Sequence, residues 1–228
     1  MLINADLSQR AVVDVNRLPW VASPMVGVER KMLERDGGEV ARATSLVRYA
    51  PGSKFAAHEH DGGEEFLVLD GVFQDEHGDY PAGTYVRNPP ASSHSPASEP
   101  GCTIFVKLWQ FDPGDRTPVR VDTSGVSFAS APGFSGVEFA LLYEGAGELV
   151  LLERWAPGTN ISVPVPGGIE LLALGGSFIE GGEEFTELSW LRLPPGARLQ
   201  AIAGHDGCKL WVKSGHLGRE PLMPDPPS

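Results

Sequence analysis

Residues 52–71 read GSKFAAHEHDGGEEFLVLDG. Three metal-ligand side chains, His58, His60 and Glu64, crowd into this stretch between Gly52 and Gly71. On a β-strand, residues i and i+2 point to one side, so His58 and His60 aim two imidazoles into a common space while Glu59 points away. Asp61-Gly62-Gly63 is a turn signal that lets the following strand return Glu64 to that space. Imidazole nitrogen with carboxylate oxygen suits Zn, Fe, Mn, Ni or Cu, whereas all-oxygen sites suit Ca and Mg. A fourth ligand is expected from elsewhere in this half of the chain. His94 is the candidate, because it follows the proline-fixed turn of PPASSHSP and precedes the strand-like TIFVKLW.

The surrounding sequence is built of short apolar runs: 44–49, 65–69, 103–109, 136–143, 147–155, 169–174, 189–193 and 208–213. They are punctuated by 28 Gly and 20 Pro. Short runs between turn residues, without a sustained 3.6-residue period, predict an all-β sandwich or barrel with little helix. The chain also repeats itself. RYAPG at 48–52 returns as RWAPG at 154–158, and YVRNPPA at 85–91 as WLRLPPG at 190–196. GC…VK at 101–107 returns at 207–213, and all anchors keep their order. This pattern reads as a duplicated domain. The expected organisation is 1–113 as the metal-binding domain, 114–220 as the second, and 221–228 as a flexible tail.

Composition narrows the function. The 228 residues carry 18 Lys and Arg against 30 Asp and Glu, a formal charge of −12. Nucleic-acid binding through a basic surface is not expected of such a chain. No apolar run approaches the roughly 18–20 residues needed to cross a bilayer, so no membrane partner is expected. No secretory signal is visible and a cytoplasmic location is the expectation. The two cysteines, Cys102 and Cys208, form no CxxC, and both read as buried apolar residues. No P-loop, GxGxxG or GxSxG motif occurs. Glu64/Glu65 and Glu183/Glu184 are adjacent in the chain and would point to opposite faces of a strand, which makes them poor glycosidase pairs.

The opening stretch fits the first cupin motif, G(X)5HXH(X)3-4E(X)6G, at Gly52, His58, His60, Glu64 and Gly71. The second cupin motif is matched only in its PXG, at Pro81-Ala82-Gly83; its histidine stands later and its Asn is missing. The phrase PAGTYVRNPPASSHSP at 81–96 resembles the ChrR cupin-like domain, a branch known from anti-sigma factors. That resemblance implies a double-stranded β-helix of jelly-roll type, here duplicated as a bicupin. It also implies a metal held by His58, His60, Glu64 and His94. The N-terminal HxxxCxxC anti-sigma domain of ChrR proteins has no counterpart in this sequence.

Aligned through the repeat, the second half lacks every ligand. VPVP at 163–166 faces His58 and His60, Ile169 faces Glu64, and Leu199 falls near His94. This half is expected to be structural, or to accommodate an apolar ligand. His77, His205 and His216 read as residues without a metal role.

Three functions follow from this reading. The first is a metal-binding regulatory or sensory cupin carrying one divalent transition metal per chain, with zinc expected first. The second is an Fe, Mn or Ni dioxygenase or diketone-cleaving oxidoreductase acting on a small oxygenated molecule. The third is a scaffold or small-molecule binder in which the ion only ties strands together. A small-molecule ligand in the N-terminal barrel and homodimerisation are carried as expectations. Phe66, Tyr85 and Trp109 are candidate wall residues.

Overall fold

The computed structural model describes residues 1–145, 147–218 and Met223. The expected tail at 221–228 lies, apart from Met223, outside the described residues. The chain is almost entirely β, and the described helix is confined to two single turns, Val15–Arg17 and His216–Gly218. Among the described residues no helix is long and apolar enough to cross a membrane.

The chain divides into two compact units. Among the described residues, one contains 1–5 and 19–125, and the other contains 6–18 and those of 126–218. Relative to a boundary at residue 113, two segments lie elsewhere: 6–18 belongs to the second unit and 114–125 to the first.

Each unit repeats one antiparallel strand order. In the first, Val28–Gly37, Ala41–Tyr49, Cys102–Leu108, Glu64–Asp75, Thr84–Asn88 and Val119–Asp122 are successive neighbours. In the second, the order is Val137–Gly145, Glu148–Trp155, Ala197–Ser214, Ile169–Glu180, Ser189–Leu193 and Ala11–Asp14. The last place is filled differently. The strand after the first repeat closes the first sheet, whereas a strand from the start of the chain closes the second.

Alternation along these strands packs one face of each sheet into an apolar core. Phe66, Val68, Phe73, Ile104 and Val106 fill the first, and Leu171, Phe178, Leu191, Leu210 and Val212 fill the second. Each such burial is worth about 1.5–3 kcal/mol. The opposite face is also buried, and there charges sit among apolar side chains such as Leu67, Phe105, Leu172 and Trp211. Glu65 lies beside Arg87 and Lys107 on the flanking strands, and Glu170 lies beside Arg192 and Lys213. All six are at most 1% exposed. Glu65 accepts from the Tyr85 hydroxyl, and Glu170 accepts from the Trp190 indole at 3.1 Å and pairs with His216 at 2.8 Å. Such rows of buried charge are sustainable because each member has a partner.

Glycine is required where backbones touch. Gly71 has φ +70°, and a Cβ there would collide with the Gly101 carbonyl. Gly176 has the same φ, and its Cβ would collide with the Gly207 carbonyl. The glycine that ends the opening motif thus marks the same close crossing in both units.

Candidate metal centre

Strand His58–His60 pairs antiparallel with Ser92–His94, placing His94 opposite His58 and Ser92 opposite His60. The i, i+2 rule and this register set three imidazoles on one face of a two-stranded ribbon. The turn at 61–63 brings in the fourth group. A Cβ on Gly62 would strike the Trp109 ring and one on Gly63 would strike the Phe111 ring, so only glycine lets the chain fold back beneath these aromatics. Glu64 then opens the next strand, opposite Asn88.

The donor atoms converge. A nitrogen from each of His58, His60 and His94 lies within 4.8 Å of the others. His60 Nε2 and His94 Nε2 are 3.0 Å apart. Glu64 Oε2 lies 3.4 Å from His60 Nε2 and 3.5 Å from His94 Nε2. Ligands bonded at about 2.1 Å to one ion sit about 3.0 Å apart in an octahedron and about 3.4 Å apart in a tetrahedron. The separations among His60, His94 and Glu64 match that range, and all four residues are of the types that hold a transition metal.

The electrostatics point the same way. Burial pushes the His60 imidazole down to about 4, helped by His58 beside it. Burial also lowers the His94 imidazole, against the opposing pull of Glu64. Neutral imidazoles keep the lone pair a metal needs. Burial raises the Glu64 carboxyl, a shift opposed by His94 and by the hydrogen bond from Asn88. A buried carboxylate among neutral rings is costly in water-poor surroundings, and a cation would offset that cost. His58 is the exposed member, so the cluster has one edge facing solvent.

Two orienting residues were not singled out in the sequence. Asp75 Oδ2 lies 3.4 Å from His94 Nδ1, turning Nε2 toward the cluster, and the Tyr80 hydroxyl donates to the same carboxylate at 2.9 Å. Asn88 Nδ2 donates to Glu64 Oε2 at 3.1 Å. His58 Nδ1 faces the Ala56 carbonyl at 3.3 Å, which leaves its Nε2 for the cluster. Partners of this kind fix the tautomer and direction of metal ligands.

The candidate wall residues separate. Phe66 shares the inward face with Glu64 and is packed in the core. Trp109 covers the Gly62 turn. Tyr85 faces the other way, toward Glu65, because it is one residue out of step with inward Val86. His205 is exposed beside Asp206, and His216 is spent on Glu170.

The second unit repeats this register without the ligands. Val163 pairs with Leu199 and Val165 with Ala197, as His58 pairs with His94 and His60 with Ser92. Ile169 pairs with Leu193, as Glu64 pairs with Asn88.

Residues 8–112 match the family of ChrR cupin-like domains. The fold is a duplicated cupin. Solved structures similar over most of the chain bear this out. A candidate dioxygenase from Nostoc punctiforme is 15% identical, with a TM-score of 0.75, covering 97% of this chain and 88% of its own. The nickel-bound pirin YhhW from Escherichia coli is 12% identical, with a TM-score of 0.63 and coverages of 91% and 99%. The oxalate decarboxylase of Lactobacillus farciminis, solved with formate, is 10% identical, with a TM-score of 0.61 and coverages of 90% and 86%. At these identities the likeness is one of fold. No curated protein sequence matches the chain.

Proposed function

We propose that the first cupin barrel binds one divalent transition metal through His58, His60, Glu64 and His94, and that the loaded barrel serves a regulatory or sensory role. The observation that carries this reading is the convergence of His60, His94 and Glu64 donor atoms at 3.0–3.5 Å. The regulatory part is supported by the match of residues 8–112 to the ChrR cupin-like domain. Zinc is the metal expected first, since three imidazoles and one carboxylate complete its four-coordinate preference.

A second reading is an oxidoreductase using Fe, Mn or Ni on a small oxygenated molecule. The exposed His58 edge favours it, because a small molecule would have access from solvent. A six-coordinate ion held by four protein groups supplies open positions and Lewis acidity to such a molecule. In this reading His58, His60, His94 and Glu64 would hold the ion, Asp75 and Asn88 keep His94 and Glu64 aimed, and Trp109 and Phe111 shape the turn beneath.

Elemental analysis of untagged protein, purified anaerobically without added metal, tests both. About one zinc per chain supports the regulatory reading. Iron, manganese or nickel near one per chain supports the enzyme, to be followed by oxygen uptake with diketones and catechols. A chain without metal that also takes none up on titration sinks the proposal.

A further inference from the structure

The second barrel is open at the place that corresponds to the metal-ligand cluster of the first. It keeps a cavity of about 420 Å³, within the size range of small-molecule pockets. Val163, Ile169 and Leu199 line it, and these are the residues in register with His58, Glu64 and His94. The void therefore sits where the first barrel gathers its ligands. Its walls are apolar, with Phe134, Phe139 and Trp155 among them.

Two charged side chains line this cavity, Glu144 and Glu153, and both are acidic. Glu153 takes an inward place in the alternating row Leu149, Leu151, Glu153, Trp155, all of which line the space. Its counterpart in the first barrel is Val47: Val47 pairs with Arg30 as Glu153 pairs with Phe139. A carboxylate has thus been placed inside the barrel that is otherwise the more apolar of the two. Its hydrogen bond among the described residues comes from the Trp155 indole at 2.7 Å. Neighbouring Arg154 points to the other side of the strand and lies over the Phe128 ring at 3.7 Å, so it does not neutralise Glu153. The apolar surroundings raise the Glu153 carboxyl against that one hydrogen bond.

An apolar chamber whose charged lining residues, among those described, are both carboxylates is complementary to a molecule that brings the cation itself. We propose that the second barrel binds a hydrophobic organic cation, an amine with an aromatic or alkyl body, its ammonium paired with Glu153 and its body packed on Val163, Ile169 and Leu199. Aromatic walls favour the same class, because ring faces attract cations. This inference is independent of the metal reading, since it concerns the other barrel.

Three molecules sharing one body test it by calorimetric titration at neutral pH: 4-phenylbutylamine, 4-phenylbutanol and 4-phenylbutyrate. The amine is expected to bind one per chain about tenfold more tightly than the alcohol, as a charge-assisted hydrogen bond does over a neutral one, with the butyrate weakest. Glu153→Gln should bring the amine down to the level of the alcohol and leave the alcohol unchanged. Leu199→Trp, which fills the chamber, should remove binding of all three. Wild-type protein that binds the alcohol as tightly as the amine, or binds none of the three, overturns the proposal without recourse to any variant. Metal content measured on the same samples keeps the outcome separate from that of the first barrel.

Discussion

His58 and Val163 hold the same place in their respective barrels, and so do His94 and Leu199, and Glu64 and Ile169. Around these places the two units share strand order, the Gly71 and Gly176 crossings and a buried row of Arg, Glu and Lys. The scaffold was conserved between the halves while the interior changed character. One interior gathers four polar donors that need a cation, and the other is lined by apolar side chains with two carboxylates, Glu144 and Glu153, at its wall. A cupin barrel evidently tolerates either filling, because the strands are held by ladder hydrogen bonds and by the outer face rather than by the contents of the site.

The largest break in this comparison should come from removing a ligand. Glu64→Ala is expected to abolish stoichiometric metal binding and the thermal stabilisation that metal gives, worth about 4 kcal/mol at a thousandfold excess over Kd. Elemental analysis and melting with and without metal would check it. Leu171→Ala in the second barrel, at 0% exposure, should cost about 2–5 kcal/mol in denaturant unfolding while leaving metal content untouched. Converting the first interior to the second, with His58→Val, His60→Val, Glu64→Ile and His94→Leu together, should lose the metal yet leave metal-free stability equal or higher. A buried carboxylate and the two desolvated rings of His60 and His94 would then be replaced by apolar groups. A large drop in the metal-free melting temperature would show that the ligands are structural in their own right. Asp75→Asn should weaken metal affinity about 10–100-fold, the usual cost of losing an orienting partner, as read by competition with a chelator. His205→Ala, on an exposed residue of the second unit, should alter stability by less than about 0.5 kcal/mol and leave metal content unchanged.

The local part of the site was legible because its information is local. His58, His60 and Glu64 are set by strand alternation and one glycine turn, both visible within residues 52–71. His94 could be named only through the phrase around it, since nothing in alternation says which distant strand will pair with His58–His60. Asp75 and Asn88 escaped for the same reason: their roles depend on cross-strand register, which sequence spacing does not encode. The strand Val28–Gly37 was missed because VERKMLERDG carries few apolar residues in alternation. In the fold Glu34 and Arg35 are nonetheless buried, Glu34 paired with Arg42. Asn160–Val165 was missed because it contains Pro164, which an edge strand accommodates. Tyr85, a candidate wall residue, lies on the outer face with Glu65; that face is also buried, so an aromatic residue in a strand does not say which side faces the site. The duplication was fully visible as a repeat, but not the placement of residues 6–18 in the second unit.

That placement has a consequence for how the protein is made. Ala11 pairs with Arg192 and Asp14 with Ser189, so a segment made before the first barrel waits for one made after it. The first barrel has all its own strands once residue 125 has emerged, whereas the second barrel holds its first strand in reserve throughout. Closing that long chain loop is slow relative to local pairing, and it makes the second barrel's edge the final seam to form. A fragment cut anywhere between the repeats would leave that seam open, so the two barrels, alike as they are, would not be inherited or engineered as separable pieces.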